Sequence, residues 1–233
     1  MTASPHTRPA AQDRLGPRAR SPKGRFAPTP SGRMHLGNAL SALIAWLSAI
    51  SQGGSVVLRI EDLDPRAHDR RAADLIMEDL DWLGLSWDEG PYYQSERGEL
   101  YRDAIAQLKR EGLTYPCFCT RSELHAASAP HASDGTYVYQ GTCRDLSPQE
   151  ATERARLRPP STRLRVPDAH DPAGIVTFDD LCYGPHQELL ARDCGDFLIR
   201  RSDGVMAYQL AVVVDDGLMG TWQIGRASCR ERV

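Results

Sequence analysis

The stretch from residue 25 to residue 60 constrains the fold more than any other part of the sequence. Residues 25–27 are a short extended segment, which Pro28 and Pro30 end because proline cannot continue a hydrogen-bonded ladder. Apolar side chains then recur at helical spacing, and a glycine pair separates them from the apolar run Ser55–Ile60. The helical set is Leu36, Leu40, Leu43, Ile44, Leu47 and Ile50. Strand, helix and strand in this order predict a parallel α/β sheet with right-handed crossovers.

The rest of the chain continues this alternation less regularly. Apolar periodicity predicts one helix over about residues 69–83 and another over about residues 97–111, which Gly112 ends. Short strands are expected at residues 162–166, 175–178 and 197–200. A last apolar run, residues 208–214, closes with two aspartates.

Length, charge and cysteine count exclude several classes of protein. The 233 residues fit one large domain, or one domain with a small insertion. With 31 acidic and 28 basic residues the net charge is −3, so any nucleic-acid contact would need a local basic face. The longest mostly apolar run, residues 40–50, is too short to span a bilayer. Six cysteines are too few for a disulfide scaffold at this length, which favours a reducing cytoplasm.

The two ends differ in character from the rest. Residues 1–23 are rich in proline and basic residues and lack an apolar core, which favours a disordered leader over a signal peptide. Residues 224–233 resemble the translated read-through of a sequencing adapter, so we expect a non-native tail there. A native, basic C-terminal turn is the alternative.

Residues 30–38 form a turn that feeds the N-terminus of the first predicted helix. Such a turn offers backbone N–H groups and a positive dipole end to an anion. His35 could donate a hydrogen bond to a phosphate oxygen, and Gly37 allows a ligand to approach the backbone closely. An ordinary loop with a helix cap is the alternative. The loop has neither the Walker pattern nor Gly-x-Gly-x-x-Gly, so those nucleotide folds are not supported.

Residues 116–145 differ from their surroundings and indicate a small inserted module. They are rich in cysteine, serine, glycine and tyrosine and lack steady periodicity. Cys117, Cys119 and Cys143 supply three soft ligands at a spacing that favours zinc. His125 or His131 could then complete a tetrahedral set. Reduced thiols without a metal remain the alternative.

Several motifs together resemble one family, the class I glutamyl-type tRNA synthetases. RFAPTPSG at residues 25–32, followed by HLGN at residues 35–38, is similar to the opening signature of that family. HLGN stands where the family has His-Ile-Gly-His, with Asn38 in place of the last histidine. Further matches are RIEDLD at 59–64, YYQS at 92–95 and YQLAVVVDD at 208–216.

The resemblance covers residues 24 to about 220 and implies a fold. That fold is a class I synthetase α/β domain with a Rossmann-like parallel sheet and a small inserted zinc-binding module. We expect its first half at residues 24–115, the zinc-binding insertion at 116–145 and the remainder of the catalytic domain at 146–223.

Within the family, residues 200–209 favour one branch. RRSDGVMAYQ resembles the pattern of glutamyl-Q tRNA(Asp) synthetases, whereas glutamyl-tRNA synthetases usually carry Pro-Thr-Tyr there. The likeness implies ATP- and Mg²⁺-dependent activation of glutamate as glutamyl-adenylate, then transfer to the queuosine base of tRNA(Asp), by a cytoplasmic monomer. The alternatives are a truncated glutamyl-tRNA synthetase that charges tRNA(Glu), or a non-catalytic module that binds glutamate or tRNA. The family's Lys-Ser-Lys-like loop does not occur in the sequence, so activation by this chain alone is expected to be poor.

The glutamate contacts follow from chemistry and from the resemblance together. A guanidinium fork suits the side-chain carboxylate, and Arg25 could supply it; the α-ammonium needs a carboxylate, and Glu61 follows the strand Ser55–Ile60. The resemblance assigns both, adds the Tyr208 hydroxyl, and implies an arginine eighteen residues later, where Arg226 stands. It also implies a pocket shaped by Phe26, Ala27, Pro28 and Thr29. A surface pair of Arg25 with Glu61, with Tyr208 in the core, is the alternative.

The resemblance also implies the roles of the remaining site residues. It implies that His35, Gly37 and Asn38 bind ATP, with His35 and Asn38 catalytic. It also implies that Tyr139 is the fourth zinc ligand, because Tyr139 and Cys143 match the Tyr-x-x-x-Cys pattern of the branch.

Overall fold

A computed structural model of the chain describes residues 21–65, 69–120, 122–124, 138–181 and 183–224. The first sheet holds three parallel strands in the order β1-β2-β3. These strands are β1, Lys23–Phe26; β2, Ser55–Ile60; and β3, Glu89–Tyr93. The predicted α/β class with a parallel sheet is therefore confirmed.

Two helices connect these strands, at the positions that periodicity predicts. Helix α1 spans Leu36–Ile50 and helix α2 spans Arg70–Trp82, with the Asp69 carboxylate capping the α2 N-terminus. The large apolar side chains of α1 are nevertheless mostly exposed, Leu36 by 86%, while Ala42 and Ala49 are buried. A Cβ built on Gly24 of β1 would lie 3.3 Å from the Ala49 Cβ, so this helix packs against the strand through small residues.

Alternation along β2 places Arg59 on the face opposite to an apolar layer. Val56, Leu58 and Ile60 join the core cluster that α1 and α2 cover. Arg59, between the last two, is fully buried and belongs to a network of charged side chains instead. The same strand thus supplies the core and part of the candidate site.

Strand β3 was not predicted, because a Gly-Pro pair inside it argues against a strand. Gly90 has φ +100°, and a Cβ built on it would lie 2.3 Å from the Leu58 carbonyl oxygen. Only glycine fits this close approach to β2.

The second half of the chain builds antiparallel sheets. Three of their strands lie where short strands were predicted, whereas the sequence did not indicate their antiparallel pairing. Helix α3, Gly98–Arg110, leads into a sheet with the order β4-β5-β8. These strands are β4, Thr114–Cys117; β5, Ser161–Leu164; and β8, Leu198–Arg200. Helix α4, Pro148–Leu157, precedes β5. Strands β6, Ile175–Asp180, and β7, Gly184–Leu189, pair as a hairpin, which the short helix α5, Leu190–Asp193, follows.

The apolar run at residues 208–214 forms helix α6, Tyr208–Met219, the last helix among the described residues. Its side chains Leu210 and Ala211 pack with Tyr101 of α3 and Ile199 of β8 in a second core cluster. The two aspartates that close the run are buried on this helix. Helix α6 therefore brings acidic groups to the polar side of β2.

Several predictions fall outside the described residues. They concern most of the leader, the tail from residue 225 onwards with Arg226, and the two histidines His125 and His131. None of the helices in the described part of the chain has the length and apolarity needed to cross a membrane.

Candidate functional site

The loop before α1 places His35 at the helix N-terminus. Its ring Nδ1 accepts hydrogen bonds from the backbone N–H of Gly37, at 3.1 Å, and of Asn38, at 3.4 Å. We expected free N–H groups here, but the imidazole itself caps these two. Because Nδ1 acts as an acceptor, the neutral ring carries its proton on Nε2, and the side chain is exposed. His35 can therefore donate from Nε2 to an anion.

Two residues of α2 fix the position of this loop. The Asp79 carboxylate accepts from the Met34 backbone N–H at 2.9 Å and from the Arg33 guanidinium at 2.5 Å, and Glu78 accepts from Arg33 at 3.2 Å. The Met34 N–H and the Arg33 charge hold the pKa of Asp79 below its usual range. His35 follows this anchored pair directly.

Arg25 and Glu61 lie at the carboxyl ends of neighbouring parallel strands. The Glu61 backbone N–H donates to the Pro28 carbonyl at 2.9 Å, so the pairing of β1 with β2 extends past both strand ends. Each of the two side chains is about 9% exposed. Ligands of open parallel sheets bind at this edge.

A network of alternating charge joins these two residues. The Asp216 Oδ1 atom accepts from Arg25 Nε at 2.8 Å and from Arg59 Nη1 at 2.7 Å. Arg59 Nη2 then donates to Glu61 Oε1 at 3.1 Å. Arg25 and Glu61 are thus buried and connected through two other residues, which disagrees with the alternative of a surface ion pair. Burial raises the pKa of Glu61 above its ordinary value, although Arg59 opposes the shift.

Asp215 holds the elements behind this network together. It is fully buried and accepts from Tyr101 at 2.8 Å, Gln94 at 2.9 Å and Arg97 at 2.7 Å. Burial, and then the bond to Asp215, raises the pKa of Tyr101, so the phenol stays protonated and donates. Asp215 therefore ties α6 to α3 and to the turn before it.

Sequence reasoning assigned no role to Arg59, Asp215 or Asp216. A signal was present, since Arg59 interrupts the apolar run of β2 and the aspartates close an apolar run. A charge inside an apolar segment needs a buried partner. Which residue provides that partner depends on contacts 157 positions apart, as between Arg59 and Asp216.

The other predicted glutamate contacts differ from one another in how far their side chains are exposed. Tyr208 begins α6, is 55% exposed, and so is not a core residue. Burial of part of its ring and the nearby charge of Glu61 raise the pKa of Tyr208. The Phe26 side chain packs in the apolar core, so only its backbone can border a ligand on the Arg25 side. Ala27 and Pro28 are half-buried and Thr29 is exposed.

The cysteine cluster lies where β4 ends. The three sulfur atoms of Cys117, Cys119 and Cys143 lie within 4.8 Å of one another, and the last two are 3.6 Å apart. The Tyr139 hydroxyl is 3.5 Å from Cys117 Sγ and 3.6 Å from Cys119 Sγ. The structure therefore brings together the four residues that the resemblance implied, while both candidate histidines lie outside the described residues.

A tetrahedral zinc site sets the separations expected between these sulfur and oxygen atoms. Two sulfur ligands of one zinc ion lie roughly 3.8 Å apart, and a sulfur and an oxygen ligand roughly 3.5 Å apart. The Tyr139 ring is held by the Arg163 guanidinium, which stacks 3.8 Å from its centroid. Burial raises the pKa of Cys119 to about 11, so a metal would displace a proton there. The donor set fits one zinc ion.

Comparisons with known proteins show the family of the chain. A family model described as tRNA synthetases class I (E and Q), catalytic domain, matches residues 23–228. A glutamyl-Q tRNA(Asp) synthetase of Symbiobacterium thermophilum is 51% identical over 215 residues, which are 87% of this chain and 64% of that protein. A glutamate–tRNA ligase of Geobacter sulfurreducens is 43% identical over 197 residues, which are 84% of this chain and 40% of that protein.

A solved structure shows the same fold. The crystal structure of a glutamate tRNA ligase from Elizabethkingia meningosepticum, in complex with its amino acid, superposes with a TM-score of 0.71 at 27% identity. The match covers 88% of this chain and 43% of that one. The chain thus spans less than two thirds of the length of each of these relatives.

Proposed function

The chain belongs to the class I tRNA synthetases of the glutamate and glutamine type, and we propose that the protein activates glutamate with ATP and transfers it to the queuosine base of tRNA(Asp). The observation that carries the glutamate part of this proposal is the placement of Arg25 and Glu61 at one sheet edge. A buried cation and a buried anion, both connected to the same network, match the side-chain carboxylate and the α-ammonium of glutamate.

The first step is the attack of a glutamate α-carboxylate oxygen on the α-phosphorus of ATP. The new bond gives glutamyl-adenylate, and pyrophosphate leaves. No protein nucleophile is needed, so positioning and charge stabilisation supply the catalysis. The proton on His35 Nε2 and the positive end of the α1 dipole would stabilise the phosphates, with Mg²⁺ bound to ATP. In the second step a hydroxyl of the modified base attacks the activated carbonyl and AMP leaves.

Zinc is the metal that the cysteine cluster would hold. Cys117, Cys119, Cys143 and Tyr139 would be its ligands, and the ion would link the end of β4 to the inserted segment. Its contribution there is structural, since a site with four protein ligands leaves no open position for substrate.

The choice of tRNA rests on the segment that leads into α6. Arg201 in this segment contacts Asp64 at 3.5 Å, near the carboxyl end of β2, and Asp203 at 2.5 Å. The branch pattern therefore contacts the loop that follows β2. Relatives named as glutamate–tRNA ligases are also similar to the chain, so charging of tRNA(Glu) is the second candidate function.

Transfer of labelled glutamate tests the proposal. The full-length gene product is incubated with ATP, Mg²⁺ and labelled glutamate, together with tRNA(Asp) that carries queuosine, tRNA(Asp) that carries guanosine there, or tRNA(Glu). We expect label only in the queuosine-containing tRNA. Label in tRNA(Glu) would establish the second candidate. Glutamate binding without ATP–pyrophosphate exchange, with or without tRNA, would leave the non-catalytic module.

A further inference from the structure

Two arginines from neighbouring strands converge on a single oxygen of Asp216. Arg25 of β1 and Arg59 of β2 both donate to Oδ1, at 2.8 and 2.7 Å. Arg59 is not exposed at all, and Asp216 is 6% exposed. They form the middle of a line whose ends, Arg25 and Glu61, are the proposed glutamate contacts.

The hydrogen bond through Nε determines which part of Arg25 remains for a ligand. Within the described residues, the side-chain hydrogen bond of Arg25 uses Nε alone. The two terminal nitrogens form the edge that binds a carboxylate through two parallel hydrogen bonds. Asp216 therefore fixes the direction in which this edge points.

The other end of the line is fixed through Arg59. One terminal nitrogen of Arg59 binds Asp216 and the other binds Glu61, at 3.1 Å. The Glu61 carboxylate is thereby held at a set distance from Arg25. A ligand with a carboxylate at one end and an ammonium at the other has to match that distance.

We propose that Asp216 is a positioning residue that orients Arg25, and through Arg59 also Glu61, and thereby sets the preference for glutamate over glutamine. The inference rests on the proposed glutamate site. Glutamate and glutamine share the ammonium and nearly the same shape, and they differ in the group that meets Arg25. A fixed fork requires two acceptor oxygens, whereas an arginine that can rotate can donate a single N–H to an amide oxygen.

Binding of the two amino acids to this chain provides the test, measured by titration calorimetry. Asp216→Asn keeps the size of the side chain and removes its charge. We expect glutamate binding to weaken roughly tenfold to a hundredfold, while glutamine binding changes less, so the ratio of the two affinities falls. Asp103→Asn is the matched control, because it makes the same change at an exposed aspartate of α3 that does not contact the network. Its ratio should stay within about twofold of the wild type.

A second substitution acts on the other end of the line. Arg59→Lys removes the fork that joins Asp216 to Glu61, so glutamate and glutamine should weaken to the same extent through the shared ammonium. If circular dichroism shows that Asp216→Asn does not fold, Arg59→Lys becomes the deciding variant. Unchanged amino-acid binding by Arg59→Lys would then overturn the inference. A folded Asp216→Asn protein with the wild-type ratio would overturn the inference alone. A wild-type chain that binds neither amino acid would overturn the proposed glutamate site, and the inference with it.

Discussion

Replacement of Asp215 by alanine tests whether the buried network stabilises the fold. The substitution leaves the Tyr101 hydroxyl, the Gln94 amide and the Arg97 guanidinium without their acceptor, and it also removes a charge 3.8 Å from Arg59 Nε. Removal of one partner from a buried ionic network costs about 3–5 kcal/mol. For a chain of this size that corresponds to a fall in Tm of roughly 6–20 °C.

Urea unfolding followed by circular dichroism measures the loss directly. Tyr101→Phe removes a single hydrogen bond to the same carboxylate and should cost about 1.5–3 kcal/mol, so a graded series is expected. Asp103→Ala, on the exposed face of α3, is the matched control and should change stability by less than about 0.5 kcal/mol. If Asp215→Ala unfolds like Asp103→Ala, Asp215 does not hold α6 to α3, and the reasoning is refuted.

Three further predictions concern pH, the metal and a helix cap. Burial raises the pKa of Glu61, so its ionised form opposes folding once the pH exceeds the pKa that this carboxyl has in the unfolded chain. Glu61→Gln should therefore be more stable than the wild type at pH 7 and lose that advantage below about pH 4. A gain that is equal at both pH values would contradict this. Metal analysis should find about one zinc ion per wild-type chain and none in Cys117→Ser. Cys194→Ser, which changes an exposed cysteine, should keep the wild-type amount. Equal zinc in both variants would exclude the cluster as the zinc site. Ser147 shares a capping box with Glu150 at the start of α4, so Ser147→Ala should cost about 1 kcal/mol in urea unfolding, and no loss would show that the cap is dispensable.

The sequence alone determined the first two strands and the three helices of the first half of the chain. Periodicity placed α1, α2 and α3 to within a residue or two, because helical spacing and capping residues are local properties. It did not determine which face of α1 is buried. That depends on how closely Ala49 approaches Gly24 of β1, and spacing favoured the leucines that the structure leaves exposed.

Some residues of the candidate site could likewise be identified from the sequence, and others only from the structure. Residues at strand ends and helix starts, such as Arg25, Glu61 and His35, could be identified from the sequence because their chemistry depends on local position. The cysteines of the cluster could be identified because thiolates at close spacing are a local signal.

Only the tertiary structure decided what lies between Arg25 and Glu61. Asp216 reaches Arg25 across 191 positions of sequence and Arg59 across 157, and no periodicity encodes such a distance. A charge inside an apolar segment indicates that a buried partner is needed. The packing of α6 over the sheet determines which residue is that partner. The sequence thus indicated the two groups suited to glutamate, and the fold supplied the carboxylate and the guanidinium that hold them.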